Sequence, residues 1–169
     1  MKLGPILSIV TAATMFAGAS SWAEQETNPA ELAAALSQAT VSLSQGMRAS
    51  EGKGNPISAK FEIENGSLQL SVYTMNRDQF TEVIVDHWSG AIAKAEPITE
   101  GDDLKAAGEQ GAAMAKAQVK LGQAVEKAVQ ANSGYLAAEV EPKLVTGHPV
   151  AVITLMKDKD IKKVNVNLD

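Results

Sequence analysis

Few residues in this chain have the chemistry to act on a covalent bond. The nearest approach to a reactive cluster is Asp86-His87-Trp88, an acid and an imidazole beside an indole. In such company a histidine serves as a metal ligand or as a group titrating near neutral pH. The only other histidine, His148, falls in a turn of the opposite half of the sequence. Zinc and copper sites want three or four converging ligands, so His87 reads by default as a strand-end residue at the margin of the core. Two histidines so far apart also give no basis for a Ser-His-Asp arrangement. Glu100, Asp102 and Asp103 form a short acidic run, but it precedes a helical pattern, where negative charge is ordinary dipole chemistry. Nothing near it supplies the buried, pKa-shifted partner of a paired-carboxylate hydrolase. No cysteine is present, which removes thiol catalysis, thiolate metal sites, disulfides and a lipid-modified cysteine together. No glycine-rich loop joins a strand to a helix in the way that cradles phosphate. The expectation is a protein without catalytic residues, metal or cofactor.

The N-terminal stretch "MKLGPILSIVTAATMFAGASSWAEQ" has a basic start at Lys2, an apolar run from Ile6 to Ala19, and small residues at Ser21 and Ala23. This is the layout of a secretory signal peptide cleaved after Ala23, with an uncleaved anchor as the alternative. The apolar run is short of the roughly 20 residues a membrane span needs. Residues 1–23 are therefore read as a signal peptide, and the protein as periplasmic or secreted. Removing them takes away one lysine and moves the formal net charge from −5 to −6. An acidic chain argues against nucleic acid or an anionic membrane surface as partner.

Asn28-Pro29 with Glu31 is a well-specified helix start, combining an N-cap, a proline at the first helical position and an acid able to reach back. Leu32, Leu36, Ala39, Leu43 and Met47 then recur at three- and four-residue steps, as one helical stripe. At Ile57 the period becomes two: Ile57, Ala59, Phe61 and Ile63 alternate with polar residues, Asn65-Gly66 sets a type I′ hairpin, and two further strands carry Leu68, Leu70, Val72 and then Val83, Val85. A second helical stripe comprises Met114, Ala117, Leu121, Ala124, Val125 and Ala128, with Gly108, Gly111 and Gly122 allowing a break.

The strands then return. Gly66, Met75, Phe80, Val83 and Val85 match Gly147, Met156, Ile161, Val164 and Val166, each 81 positions later. Upstream, "LSQA" at Leu36 matches "LGQA" at Leu121 at an offset of 85, which places a longer helix-to-strand loop in the first copy. The ordered set of Leu36, Gln38, Ala39, Ala59 to Glu64, Gly66, Phe80, Val83, Val85, Asp86, Ser89, Gly90 and Ile92 resembles the PepSY domain. Leu121, Gln123, Ala124, Gly147, Ile161, Val164 and Val166 repeat the pattern, without the closing "D…SG" stretch. The resemblance implies an α+β fold of two repeats, each a helix packed on an antiparallel three-stranded meander with PepSY-like or cystatin-like halves. The divisions expected are repeat 1 at 28–93, a partly helical connector at 94–112 and repeat 2 at 113–169. It also implies a non-enzymatic exported binding or regulatory protein that restrains an envelope or secreted peptidase; the alternative is a periplasmic small-ligand or metal-sensing protein.

If Val83 and Val85 face the helix, Phe80, Ile84 and Trp88 share the opposite sheet face, where Tyr73 and Met75 join them and Val150, Val152 and Met156 correspond in the second copy. An apolar second face needs a cover. The covers available are the other repeat packed sheet on sheet, a second chain in a homodimer, or a partner protein adding a strand. Tyr73, Ile84 and Trp88 are the protein-binding residues this reading selects.

Overall fold

The change of period at Ile57 marks a real boundary between helix and strand. The computed structural model describes residues 28–169, so the proposed signal peptide lies outside the described residues. Helices α1 (Pro29–Leu36) and α2 (Leu43–Ser50) are followed by strands β1 (Asn55–Glu64), β2 (Ser67–Asn76), β3 (Gln79–Val85) and β4 (Ile92–Ile98). Then come α3 (Gly101–Met114), α4 (Leu121–Gln130), β5 (Leu136–Val145), β6 (His148–Lys157) and β7 (Asp160–Asn167). All seven strands form one antiparallel sheet in the order β4-β3-β2-β1-β5-β6-β7. The α+β class expected from the sequence is present. Two three-stranded meanders are not: the first half contributes four strands, and β1 pairs with β5 to fuse everything into one sheet.

The stripe from Leu32 to Met47 is split into two helices. Asn28 caps α1 by accepting from the Ala30 N–H at 3.0 Å. Past Leu36 the N–H groups of Thr40 and Val41 donate to the carbonyl of His87 at 3.1 and 3.0 Å, which turns the chain around the end of the sheet. Ser42 restarts the helix with a capping box, its hydroxyl accepting from Gln45 N–H while the Gln45 side chain accepts from Ser42 N–H. In the second half, Gln118 and Val119 donate likewise to Leu168 at 2.7 and 3.1 Å before α4 begins. The counterpart of Leu121-Gly-Gln-Ala is thus Leu43-Ser-Gln-Gly, at the start of α2, and not Leu36-Ser-Gln-Ala. The helix offset is 78, so the extra residues between helix and strand belong to the second half, reversing the expectation.

The strands repeat their irregularities at the offset of 81. A bulge between Pro56 and Ser58 recurs between Ala137 and Glu139. Positive φ at Asn65 and Gly66 recurs at Thr146 and Gly147, which is the backbone a type I′ hairpin demands. Arg77 and Asp158 share it as well.

Directly opposed residues share a face, which sorts the sheet. Phe61, Leu70 and Val85 line one face with Ala59, Val72, Val83, Val140, Ala151, Ile153 and Val166. Here α2 and α4 pack, bringing Leu43, Met47, Leu121, Ala124, Val125 and Ala128 into one buried cluster with the strands. Gly46 lets α2 approach β2 closely, because a Cβ there would stand 2.4 Å from Leu70 Cδ2. Leu70 is fully buried, so its methyl end would have to shift within a packed core to make room. Gly46→Ala should therefore lower stability by about 1–2 kcal/mol, overpacking outweighing the helix propensity gained. Urea unfolding monitored by circular dichroism would reveal the loss as a lower midpoint.

Candidate functional site

The face away from α2 and α4 is where the candidate residues fall. Its central row reads Ser58, Tyr73, Glu82, Glu96 across β1 to β4, and the next row Lys60, Ser71, Ile84, Lys94. Sequence reasoning emphasised its apolar members, but much of it is polar. Tyr73 is half-buried and donates its hydroxyl to Glu82 Oε1 at 3.2 Å. Burial pushes the phenol well above its ordinary range, and the charges of Glu82, Glu62 and Asp103 push it the same way. Burial opposes the charge on Lys60, yet its hydrogen bond and ion pair with Glu62, with Glu82 and Asp103 behind, hold its pKa above the usual value.

α3 lies over this face, touching β1, β2, β5 and β6. Ser58 donates to Gln110 Oε1 at 2.7 Å. Gly111 sits where a Cβ would be 2.8 Å from Met75 Sδ and 3.2 Å from Phe80 Cε1, so its missing side chain is what seats the helix. Of the apolar residues assigned to this face, Met75 and Phe80 are thus covered by the chain's own residues 101–114. On the second half, Leu32 of α1 lines a cleft with Lys60, Glu139, Thr154, Met156 and Ile161.

Ile84 lies half-buried farther out on β3, opposite Ser71 and Lys94. Trp88 is 56% exposed, in the turn that follows β3. Asp86 builds that turn: its Oδ1 accepts from the N–H groups of Trp88 and Ser89 at 3.1 and 2.7 Å and from the Ser89 hydroxyl at 2.7 Å. Thr40 Oγ1 donates to the Trp88 carbonyl, fixing the turn to the α1–α2 connection. The His87 and Trp88 rings are 5.2 Å apart and tilted, and the His87 carbonyl is the acceptor that bends the helical segment. Among the described residues no three His, Asp or Glu side chains come together as metal ligands.

Tyr73, Ile84 and Trp88 therefore do not form one patch of equal exposure. Tyr73 is tied into a polar row beneath α3, whereas Trp88 stands free beside an element that the sequence reading missed, the edge strand β4. Six of its seven residues, Ile92 to Pro97, are exposed. The signal available was the alternation in "IAKAEPI", obscured by Pro97 and by small residues at the other positions.

A second kind of concavity lies between the paired helices. Leu36, Val41, Leu43, Phe61, Val125 and Val129 line an apolar cleft of about 400 Å³ at one end of α2 and α4. A cleft of about 540 Å³ at the other end is mixed, with Met47, Met114 and Leu121 beside Arg48, Glu51 and Lys120.

No family model matches the chain, and no curated protein matches it. Among solved structures, a candidate lipoprotein from Clostridium difficile 630 superposes with a TM-score of 0.45 at 13% identity, covering 78% of this chain and 88% of the other. That likeness is too slight to assign a fold family or an activity. No helix among the described residues is long and apolar enough to cross a membrane.

The turn at Asp86 gives a pH prediction with a definite sign. Hydrogen bonds from Ser89 N–H and the Ser89 hydroxyl, then from Trp88 N–H, hold the Asp86 carboxyl below its ordinary pKa of 3.8. A depressed native pKa contributes stability above the unfolded-state value and loses it as pH falls through the native value. Between about pH 5 and about pH 2.5 the wild type should lose more of its melting temperature than Asp86→Asn, which cannot titrate. Equal losses in the two proteins would show that the turn carboxylate contributes nothing.

Proposed function

We propose that the chain is an exported, non-enzymatic binding protein built from two fused PepSY-like units, and that it restrains an envelope or secreted peptidase by contact with its sheet. The single observation that carries this reading is the open β4 edge flanked by exposed Trp88. An edge strand offers unpaired N–H and C=O groups to an extended segment of another protein, and an exposed indole beside it supplies an anchor. Ile84, one strand in, lines the same approach. Tyr73 acts in support, holding Glu82 in the row that ends at Glu96 on the β4 edge.

The recurrence of bulge, turn and helix-start positions between the halves supports the duplication. The apparent signal peptide and acidic net charge support an exported protein that avoids nucleic acid and anionic membranes. Trp88→Ala should weaken inhibition of the envelope or secreted peptidase it restrains by at least about tenfold. Because the indole is largely exposed, the unfolding free energy should stay within about 0.5 kcal/mol of wild type. Unchanged inhibition by the variant, or no inhibition by the wild type, would overturn the peptidase reading.

The two clefts between α2 and α4 favour a second reading, a periplasmic small-ligand sensor. An apolar ligand bound there must raise the melting temperature. A flat melting response to a panel of apolar metabolites and detergents at millimolar concentration would count against it.

A further inference from the structure

The β4 edge has a property that a general docking edge does not need. Read about its centre at Ala95, the strand Ile92-Ala93-Lys94-Ala95-Glu96-Pro97-Ile98 is self-complementary in its middle, where opposite charges flank Ala95. A bulge before Lys94 sets Ile92 opposite Val85 and Ile98 opposite Phe80, on different faces, so the match rests on the charges. An antiparallel strand of the same sequence, related by a two-fold axis at Ala95, sets Lys94 opposite Glu96 of the other copy, and Glu96 opposite Lys94. Opposite-charge pairs directly across a ladder stabilise it, and like pairs do the reverse.

The inner neighbour strengthens the match. Glu96 sits directly opposite Glu82 on β3, so two carboxylates end this row of the sheet at an open edge. The nearest cation on the strand is Lys94, whose ammonium is already 2.7 Å from Glu96 and remains largely exposed. A lysine arriving across the edge would give the Glu82–Glu96 row a second positive charge. The opposite edge of the sheet lacks this symmetry, since β7 carries Lys162 and Lys163 in succession, both exposed. Pro97 limits the pairing without blocking it. Prolines in edge strands turn the position of the missing N–H outward, so each copy loses one ladder bond near the end of the strand.

We propose that β4 pairs with β4 of a second copy, making a two-fold dimer with a continuous sheet. This goes beyond the peptidase reading, in which a foreign strand takes the edge, and it implies that the dimer withholds the edge from that partner.

Sedimentation equilibrium on the purified protein tests it. Wild type should dimerise, and Lys94→Glu or Glu96→Lys alone should weaken dimerisation by at least about tenfold, because each sets like charges across the axis. The exchange of both residues, Lys94→Glu with Glu96→Lys, should restore it. A mixture of the two single variants should form heterodimers, since one copy then presents two carboxylates at these positions and the other presents two ammonium groups. Circular dichroism melts would confirm that all four proteins fold. A monomeric wild type, or single variants that dimerise as well as wild type, would overturn the dimer. Either result would leave peptidase restraint to be decided by Trp88→Ala, which is expected not to change the sedimentation of the dimer.

Discussion

Everything in this molecule depends on the contact between β1 and β5. Ala59 pairs with Val140 and Lys60 with Glu139, and no other ladder joins the strands of the two halves. A half of roughly 60 residues is only marginally able to bury a core of its own. Pairing removes two sheet edges at once and lays α2 against α4 over a shared apolar cluster. Ala59 and Val140 occupy equivalent positions, 81 apart, so the relation between the halves is close to a two-fold axis through this pair. Arg48 and Glu126 are likewise equivalent, 78 apart, and form an ion pair between the helices. Two copies of Arg48 would repel across such an axis. The two positions carry different residues, and the difference is in the direction that attracts.

The junction also determines what is left for function. Once β1 and β5 are paired, the middle of the sheet is closed on one face by α2 and α4 and crossed on the other by α3. Polar groups there are mutually satisfied: Ser71 donates to Glu62, Thr154 to Glu139 and Tyr73 to Glu82. No buried side-chain nitrogen or oxygen among the described residues lacks a partner. Free capacity for binding is therefore displaced to the periphery, to the β4 edge, the Trp88 turn and the helix-pair clefts.

What was legible in the sequence was local. Asn65-Gly66 announces its hairpin because two successive residues with positive φ have few other sequences to choose from. The alternation from Ile57 announces a sheet with one buried face. The helix break at residues 37–42 was not legible, because its cause, the carbonyl of His87, lies 47 residues from Thr40 in sequence. Without that contact the apolar spacing of Leu36, Ala39 and Leu43 is a faultless helical stripe. Two "LSQ" strings in that stretch compounded the difficulty, and only the carbonyl contacts show which one opens α2. Gly111 misled in the opposite sense. In isolation it weakens a helix, whereas in the fold it is the point at which α3 closes on Met75 and Phe80.

The two outer edges diverge more than the interior does. Equivalent strands keep their bulges, turns and buried residues, since a change in any of these is felt throughout a packed core. Edge positions carry no such burden, and β4, which has no counterpart strand in the second half, exists only as edge. A strand retained without a core-facing stripe contributes little burial of its own. Its worth to the fold lies in covering β3, and β3 in turn holds the Asp86 turn, whose neighbour His87 bends the helical segment onto the core. The peripheral strand and the displayed indole are thus coupled through one turn. The Asp86 N–H donates to the Ala91 carbonyl at 2.8 Å, so the turn that displays Trp88 is also the one that delivers the chain into β4.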